Sequence, residues 1–341
     1  MKSRLKYVVL ISLATISFSL NAQIGNYSNS NDGLKVKVLD VGQALSVVIR
    51  TPNKRYVLYD TGKRDGIKEI LKTIPKGDSI DLMILSHTDE DHVGSAADVI
   101  ANYPVKRVIN AGYIFQNSIT KTYQGFLERI GRNKQISNIN LFERDSAIIP
   151  GTSEQYGDLK IIYLCGFGKP LEEWGLNGKR AESINSVSIV IKLEYMGKSI
   201  LICGDALGRT LSSGKSQLIA TEKYLINKAN SYLRSDVIIA PHHGANNASS
   251  DELIDSVKPK YVIFSSGHSA KLMHPRATTA ERYLRKVSLD HIFRTDLGDD
   301  DGIQEWDFGR ERGIIDGCGD HNVEIDISNK SDLTVCYYSS N

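Results

Sequence analysis

The chain has 341 residues, of which 41% are hydrophobic and 24% are charged, values that are typical of a globular protein and exclude a wholly disordered one. This length can bury one large core or two modest ones. The formal net charge is only +2, which excludes the strongly basic surface of many nucleic-acid-binding proteins but does not exclude chemistry on nucleic acids.

The N-terminus has the layout of a cleaved secretory signal. Lys2, Arg4 and Lys6 precede a mostly apolar run over residues 8–20, which is shorter than the roughly 20 residues that a membrane-spanning helix needs. Ala22 offers a small residue for cleavage, and no cysteine stands nearby to accept a lipid anchor. We therefore expect a secreted or periplasmic protein with no membrane span. Without the three basic side chains of the signal, the formal net charge of the remaining protein is −1 instead of +2.

Periodicity and turn residues predict the secondary structure in chain order. The predicted strands cover residues 34–39, 45–49, 56–59, 81–85, 106–109, 159–165, 186–195, 198–203, 237–240, 261–264 and 292–294. The predicted helices cover residues 67–74, 93–102, 120–132, 217–231, 251–257 and 277–287. The stretch 110–158 has little pattern apart from its helix, and 166–182 is predicted as a loop. This order favours two sheets flanked by helices, although it does not by itself exclude another α/β layout.

The strongest chemical signal follows the predicted strand 81–85. His87, Asp89, Asp91 and His92 place four possible metal ligands within six residues at the end of a buried strand. Imidazoles suit zinc, and carboxylates extend the choice toward manganese or iron. A polar turn with Asp91 as a helix N-cap would explain one carboxylate but not two histidines beside two further acids. The spacing therefore predicts a metal site.

Two more apolar strands end in residues of the same type. The strand 198–203 leads to Asp205, and the strand 237–240 leads to His242 and His243. Each signal alone is weak, because Gly-Asp is commonly a turn. Since a buried carboxylate is costly unless it is paired or metal-bound, the repetition at three strand ends predicts that these side chains share one site.

The C-terminal region shows a separate pattern. Alternation over 323–327 and 333–335 predicts a small edge hairpin, which Cys318 and Cys336 flank. In an exported protein this pair is a candidate disulfide, whereas Cys165 and Cys203 fit buried positions. We expect a signal over 1–22, one main domain over 23–308, and an extension over 309–341.

The motifs together resemble the metallo-β-lactamase superfamily and, within it, the C-terminal hydrolase domain of ComEC-type DNA-uptake proteins. They span roughly residues 34–300 in the order of that family. The motifs that carry the resemblance are Leu39-Asp40-Val41-Gly42-Gln43-Ala44, Asp60-Thr61-Gly62, Leu85 to Gly94, Asn185-Ser186-Val187-Ser188, Cys203-Gly204-Asp205, His242-His243-Gly244, Lys258-Pro259-Lys260-Tyr261 and His274-Pro275.

The resemblance implies an α/β (α+β) fold, a four-layer αββα sandwich with the small C-terminal hairpin added. It also implies two divalent ions, zinc first and manganese as the alternative. The implied ligands are His87 and Asp89 for the first ion, Asp91 and His92 for the second, Asp205 as a bridge, and His242 rather than His243 to complete the second site.

Further roles follow from the same resemblance, each with a plainer alternative. Asn185 stands where many relatives have another histidine, so the first site is expected to be poorer in ligands. Asp60 resembles the acid that holds a ligating imidazole, or it forms an ordinary Asp-Thr-Gly turn. His274 would donate a proton to a leaving oxygen or bind phosphate, unless it is a solvated loop residue. Arg294 would orient a phosphate or form a surface ion pair, and Asp91 would also orient the nucleophile.

The resemblance therefore implies a secreted hydrolase in which metal ions activate a water molecule. A phosphodiesterase or nuclease is the leading function, with DNA or RNA as the first substrates to test. An enzyme acting on another ester, such as a phosphorylcholine ester, a lactone or a β-lactam, is the alternative. A non-catalytic metal-binding protein of the same fold is the third possibility, and metal content with activity assays distinguishes it from the other two.

Overall fold

The computed structural model describes residues 33–176, 178–210, 216–314, 319 and 321–338. The predicted signal segment lies outside the described residues, and so does Cys318 of the candidate disulfide. Cys336 is described and exposed. The signal and the disulfide therefore stay predictions.

The strands follow the predicted order closely. In chain order they are β1 (Leu34–Val38), β2 (Val47–Arg50), β3 (Tyr56–Tyr59), β4 (Ile80–Leu85), β5 (Arg107–Asn110), β6 (Ser137–Asn140), β7 (Thr152–Tyr156), β8 (Leu159–Cys165), β9 (Val190–Tyr195), β10 (Lys198–Ile202), β11 (Val237–Ile239), β12 (Tyr261–Phe264), β13 (Ile292–Arg294), β14 (Asn322–Ile327) and β15 (Leu333–Tyr338).

The helices connect these strands. They are α1 (Ile67–Thr73), α2 (Glu90–Val93), α3 (Ala96–Asn102), α4 (Lys121–Arg132), α5 (Arg180–Ser186), α6 (Ala220–Lys228), α7 (Asn230–Leu233), α8 (Asp251–Val257) and α9 (Ala277–Leu284). Local signals fix some of their ends: the side chain of Thr120 caps α4 by accepting from Tyr123 N, and that of Ser250 caps α8 by accepting from Leu253 N.

The strands form two sheets. The first has the order β15-β14-β1-β2-β3-β4-β5-β6, and the second has the order β13-β12-β11-β10-β9-β8-β7. Neighbouring strands are parallel from β3 to β6 in the first sheet and from β10 to β13 in the second, and antiparallel elsewhere.

Helices cover the outer faces of the two sheets. Val57 and Ile84 of the first sheet belong to the core shared with the second sheet, whereas their neighbours Leu58 and Met83 pack with α1, α3 and α4. This alternation follows from the two-residue period of a strand. On the second sheet, α6, α8 and α9 contribute Leu225, Leu253 and Tyr283. The predicted αββα sandwich is therefore confirmed.

The predicted C-terminal hairpin is also confirmed, as β14 and β15. Strand β14 pairs antiparallel with β1, so the hairpin extends the first sheet, with β15 at its edge. Val323, Ile325 and Ile327 of β14 are buried in the common core. The domain division at residue 309 stays a prediction.

Some local predictions were wrong. Strand β7 lies in a stretch without predicted strands, because its edge sequence Thr-Ser-Glu-Gln-Tyr lacks the apolar alternation that marks a strand. The predicted start of a strand at residue 186 is instead the end of α5, and β9 begins at Val190. The burial of Ile184 and Asn185 stabilises α5 through tertiary contacts. The predicted helix 217–231 is divided between α6 and α7.

The parallel strands place the candidate site. Strands β3 and β4 of the first sheet, and β10 and β11 of the second, carry the predicted functional residues just beyond their carboxyl ends. Carboxyl ends of parallel strands meet at one edge of a sheet. Among the described residues, no helix has both the length and the apolar character to cross a membrane.

Candidate metal centre

Asp205 lies at the centre of the site, between four imidazoles. Its Oδ1 is 3.1 Å from His92 Nε2 and 3.5 Å from His243 Nε2. Its Oδ2 is 3.6 Å from His242 Nε2 and 3.8 Å from His87 Nε2. Each oxygen therefore faces a different pair of histidines, and the carboxylate is buried.

A tight turn brings Asp205 to this position. Gly204, which follows β10, has φ of +53°, and a Cβ there would lie 2.8 Å from the Cβ of Ser86. A side chain at residue 204 would thus push apart the turns that follow β10 and β4. Only glycine accepts both the conformation and the close approach.

The residue after β4, Ser86, orients two imidazoles. Its Oγ lies 2.9 Å from His87 Nδ1 and 3.3 Å from His92 Nδ1. His87 is buried, and its Nε2 makes no hydrogen bond to any described residue. A buried imidazole nitrogen without a hydrogen-bond partner is costly in a protein core. His87 Nε2 is therefore the atom that a metal ion would use.

Asp60, the residue after β3, holds His92 in place. Asp60 Oδ2 lies 2.7 Å from His92 Nδ1. The same carboxylate accepts hydrogen bonds from Ser86 N and Ser86 Oγ, both at 2.7 Å. Burial raises the pKa of Asp60 above its ordinary value, against the opposing effect of His92. With Nδ1 engaged by the acid, His92 Nε2 is directed at the site, which is the geometry expected of a carboxylate behind a metal ligand.

The tandem histidines follow β11 in a strained turn. His242 and His243 have φ of +52° and +55°, a conformation that costs a non-glycine residue on the order of 1 kcal/mol or more. His243 Nε2 lies 3.2 Å from His92 Nε2 and 3.6 Å from Asp91 Oδ2. The two rings diverge, and His243, rather than the expected His242, lies beside Asp91 and His92. His242 faces the Asp205 oxygen that His87 also faces.

These side chains form two groups that could each hold a metal ion. The His87 group consists of His87, His92 and Asp205; the His243 group consists of Asp91, His92 and His243. Within each group, one ligand atom from every member lies within 4.8 Å of the others. The donor set of imidazole nitrogens and carboxylate oxygens, with the unpartnered His87 Nε2, fits a divalent transition metal.

The charges of the site fit a cation as well. Burial lowers the pKa of His87 to about 3, and it also lowers the pKa of His242. Burial opposes the charge of His92 and His243 too, but Asp205 and other carboxylates outweigh it and raise the pKa of both. Burial likewise opposes the charge of Asp205, yet the imidazoles outweigh it and hold the pKa of its carboxyl below the usual range. A bound cation would displace protons from His92 and His243.

Asp89 stands outside the two groups. When the Asn185 side chain is oriented with its amide nitrogen toward Asp89, that nitrogen lies 3.3 Å from Asp89 Oδ2. The amide oxygen then lies 3.1 Å from His242 Nε2. Arg180 Nη1 lies 3.8 Å from Asp89 Oδ1. Burial, followed by the charge of Asp91, raises the pKa of Asp89 to about 6. Asn185 thus lies at the site and connects Asp89 to His242, in the region expected to be poor in ligands.

His274 lies beside the tandem histidines. Its ring centroid is 5.9 Å from that of His242 and 6.4 Å from that of His243. The residue is buried rather than solvated, and Gln43 Nε2 lies 3.0 Å from its Nδ1. Burial, followed by the charges of the tandem histidines, lowers the pKa of His274 to about 2. This environment favours the neutral ring near neutral pH, and the expected proton donation or phosphate binding by His274 stays a prediction.

Arg294, at the end of β13, is buried rather than exposed. Its side chain is fully buried, with Nε 2.6 Å from Asp296 Oδ1 and a further ion pair to Glu305. Its Nη1 donates to Trp306 O and Phe308 O. The alternative of a surface ion pair was therefore wrong, and the expected role in orienting a phosphate stays a prediction. These contacts engage the guanidinium, which holds the loop after β13 in place.

Comparison with known families agrees with this geometry. The sequence pattern described as the metallo-β-lactamase superfamily matches residues 39–152. The chain carries a metallo-β-lactamase superfamily domain. The matched region includes Asp60 and the motif from His87 to His92, whereas Asp205 and the tandem histidines of the domain follow it along the chain.

Relatives of this metallo-β-lactamase domain include competence proteins. The competence protein ComA of Neisseria gonorrhoeae is 27% identical over 280 residues, which are 81% of this chain and 32% of that protein. The ComE operon protein 3 of Bacillus subtilis is 24% identical over 287 residues, which are 78% of this chain and 32% of that protein. The chain therefore spans about a third of the length of these relatives. Among solved structures, the metallo-β-lactamase fold protein YhfI from Bacillus subtilis is 11% identical with a TM-score of 0.43, covering 80% of this chain and 98% of that one.

Sequence reasoning missed three residues that shape the site of this domain. Ser86 and Gln43 stand inside recognised motifs, but nothing in the spacing indicated their hydrogen bonds to histidines. Glu222 in α6 gave no signal; it is fully buried and accepts from Ser249 N at 2.6 Å and Ser250 N at 2.9 Å. Burial raises the pKa of Glu222 to about 7. It anchors the segment that follows the tandem histidines.

Proposed function

We propose that this chain is an exported, metal-dependent phosphodiesterase, with nucleic acid as the first substrate to test. The observation that carries the proposal is the buried Asp205, whose two oxygens face different pairs of imidazoles at 3.1–3.8 Å. This is the position of a carboxylate shared by two ions. The resemblance to ComEC-type DNA-uptake proteins and the competence proteins among its relatives favour a phosphodiester over other esters. The basic and apolar N-terminal sequence supports export.

The proposed ligand set starts from the two groups and adds His242, which faces the same Asp205 oxygen as His87, and Asp89 from the family resemblance. Asp91, His92 and His243 would hold one ion; His87, His242 and Asp89 would hold the other; Asp205 would serve both. Four imidazoles favour zinc, and three carboxylates leave manganese as the alternative. Two bound ions would supply an activated water as nucleophile and would offset the negative charge that develops on the phosphoryl group.

Asp91 is placed to orient the attacking water. Burial opposes its charge, but a hydrogen bond to His243 and the charge of His92 outweigh it, so the pKa of Asp91 is lowered and the carboxylate is ionised. Its side chain keeps 25% of its surface exposed, more than the neighbouring imidazoles keep. An ionised oxygen at the open side of the site accepts a hydrogen bond from water and fixes its direction of attack.

His274 acts as a neutral hydrogen-bond donor in this proposal. The amide nitrogen of Gln43 is a donor, so His274 Nδ1 accepts and the ring proton resides on Nε2. A pKa of about 2 keeps the ring neutral throughout the working pH range. The Nε2 proton can then stabilise negative charge on a phosphoryl oxygen without being transferred.

We expect Gln43→Glu to lower kcat/KM by roughly tenfold or more, since one lost hydrogen bond to a developing charge costs about that much. A carboxylate at residue 43 accepts from Nδ1 and thereby moves the ring proton away from Nε2. Hydrolysis kinetics, together with ¹⁵N spectra that report which ring nitrogen of His274 carries the proton, measure both effects.

The control is Gln135→Glu, which makes the same chemical change on the exposed surface. His274→Gln, which keeps a donor, should retain more activity than His274→Ala. Because His274 is neutral well above its pKa, its removal should not shift the pH profile between about pH 5 and 9. A lost alkaline limb in His274→Gln would restore the proton-donor role and contradict this proposal.

The proposed activity is tested by a substrate panel with the purified chain. We expect hydrolysis of bis-p-nitrophenyl phosphate and of single-stranded DNA or RNA, lost with EDTA and restored by manganese or zinc. A phosphorylcholine ester and a chromogenic β-lactam form the other arms. Turnover of only one of these, or metal binding without any turnover, would contradict a phosphodiesterase.

A further inference from the structure

A cavity lies at the opposite end of the strands that carry the metal centre. It has a volume of about 670 Å³ and is bordered by the β9–β10 turn and by the segments that lead into β11 and β12. Strand β11 begins at this cavity with Val237 and ends beside His242. At about 3.3 Å per residue, the two places lie roughly 10–15 Å apart along the sheet. We call this cavity the basic cleft.

The basic cleft is lined by more cations than anions. The cationic residues are Lys160, Lys192, Lys198, Arg234, Lys258 and Lys260, and the acidic ones are Asp158, Glu194 and Asp236. Two of the cations are paired, Lys192 with Glu194 at 2.8 Å and Lys260 with Asp236 at 3.0 Å. The other four form no ion pair within the part of the chain that the structure describes.

The sheet register explains why these charges gather. Lys160 of β8 and Ser199 of β10 both lie opposite Glu194 of β9, so their side chains share one face of the second sheet. Lys192, two residues before Glu194, is on the same face, with only 8% of its side chain exposed. A lysine side chain is seldom buried to that extent unless its charge is paired. Because Lys192 is paired with Glu194, Lys160 is the unpaired cation of this face among the described residues.

The cleft walls add two exposed cations beside that face. Arg234 and Lys258 are exposed and stand just before β11 and β12, where the chain enters the sheet from the surface. Unpaired cations held close together repel one another, and this arrangement is favourable when an anion occupies the space between them. Phosphate groups match it best, because they carry charge and several acceptor oxygens.

We propose that the basic cleft binds a ligand with at least two phosphate groups. This site is separate from the metal centre, which lies beyond the carboxyl ends of the same strands, and its ligand need not be hydrolysed. Two sources share this chemistry: the backbone of a single-stranded nucleic acid, and a compact polyphosphate. The cleft holds either, since its volume exceeds that of one phosphate several-fold.

The test compares two double variants that remove equal charge. Arg234→Ala with Lys258→Ala removes two unpaired cations of the cleft. Lys121→Ala with Lys134→Ala removes two exposed cations at the ends of α4, which packs on the other sheet. Binding of sodium tripolyphosphate is measured by calorimetry, and binding of fluorescein-labelled dT12 by anisotropy, both in EDTA so that no hydrolysis occurs.

We expect the cleft variant to bind tripolyphosphate about tenfold or more weakly, and the α4 variant to change it less than twofold. For dT12, the slope of log affinity against log salt should become less steep by about 1.4, since each lost contact to a single strand contributes about 0.7. Competition between the two probes shows that a nucleic-acid backbone can occupy the cleft, and tripolyphosphate binding without dT12 binding identifies a compact polyphosphate. Equal effects of both double variants, or no binding of either probe, would overturn the proposal.

Discussion

Asp205→Asn is expected to remove the activity almost completely, by far more than a hundredfold. Removing a residue that only supports a metal ligand typically lowers metal affinity or activity 10–100-fold. Asp205 is itself a proposed ligand of both ions, so the loss should be larger. Each of its oxygens faces two imidazole nitrogens. The amide keeps the shape but loses the negative charge, and its nitrogen turns a donor toward one pair. Both ions should therefore be lost or weakened together.

Metal content per chain, measured by elemental analysis after dialysis against manganese or zinc, gives the direct readout. We expect the unaltered chain to hold about two ions and the variant at most one. Asp251→Asn is the matched control: it makes the same change at the start of α8, where Asp251 forms an exposed ion pair with Arg285. Such surface ion pairs contribute about 0–1 kcal/mol to the free energy of unfolding. Equal metal content in the two variants, with both folded, would show that Asp205 is not shared between ions.

The interaction between Asp205 and the imidazoles illustrates what the sequence could predict. Each functional residue follows a strand that is recognisable by its apolar run, and parallel strands bring their carboxyl ends to one edge. That reasoning, with the family resemblance, placed Asp205 near His87 and His92, and the structure brings these three side chains together. It could not anticipate distances, because these depend on turns such as the one at Gly204, where the fit against Ser86 leaves no room for a side chain.

The choice between His242 and His243 shows the limit of pattern reasoning. Adjacent residues on a strand point to opposite faces, so one of two neighbours would normally be excluded. Here both residues have left-handed conformations, and both rings reach Asp205 from different sides. Since non-glycine residues seldom adopt this conformation, no sequence rule predicts two in succession.

Arg294 shows a different limit. A motif can be recognised while its role is misassigned, because burial is a property of the whole fold. The buried Asp296 and Glu305 engage the guanidinium, and Glu305 lies in a region without predicted structure. Long-range partners of this kind, like Gln43 for His274, are separated by stretches that no periodicity connects.

Asp60→Asn is expected to weaken metal binding by about 10–100-fold, the usual effect of removing a carboxylate behind a ligating histidine. Asn tolerates the left-handed backbone of residue 60, whose φ is +54°, so the substitution changes chemistry more than conformation. The carboxylate accepts hydrogen bonds from Ser86 through both oxygens and binds His92 Nδ1. An amide has only one acceptor, so either Ser86 N or His92 Nδ1 would face an NH₂ group.

Competition with a chromogenic chelator measures the affinity, and Asp255→Asn, in an exposed pair with Lys286, is the matched control. A second readout separates electrostatics from packing. In the metal-free protein, burial lowers the pKa of His92, and the charges of Asp205 and then Asp60 raise it by more than burial lowers it. Loss of its charge should therefore let His92 release its proton at lower pH, which NMR titration detects. If both the chelator competition and the His92 titration stayed as in the unaltered chain, Asp60 would be an ordinary turn residue, and His92 would owe its orientation to Ser86 and Asp205 alone.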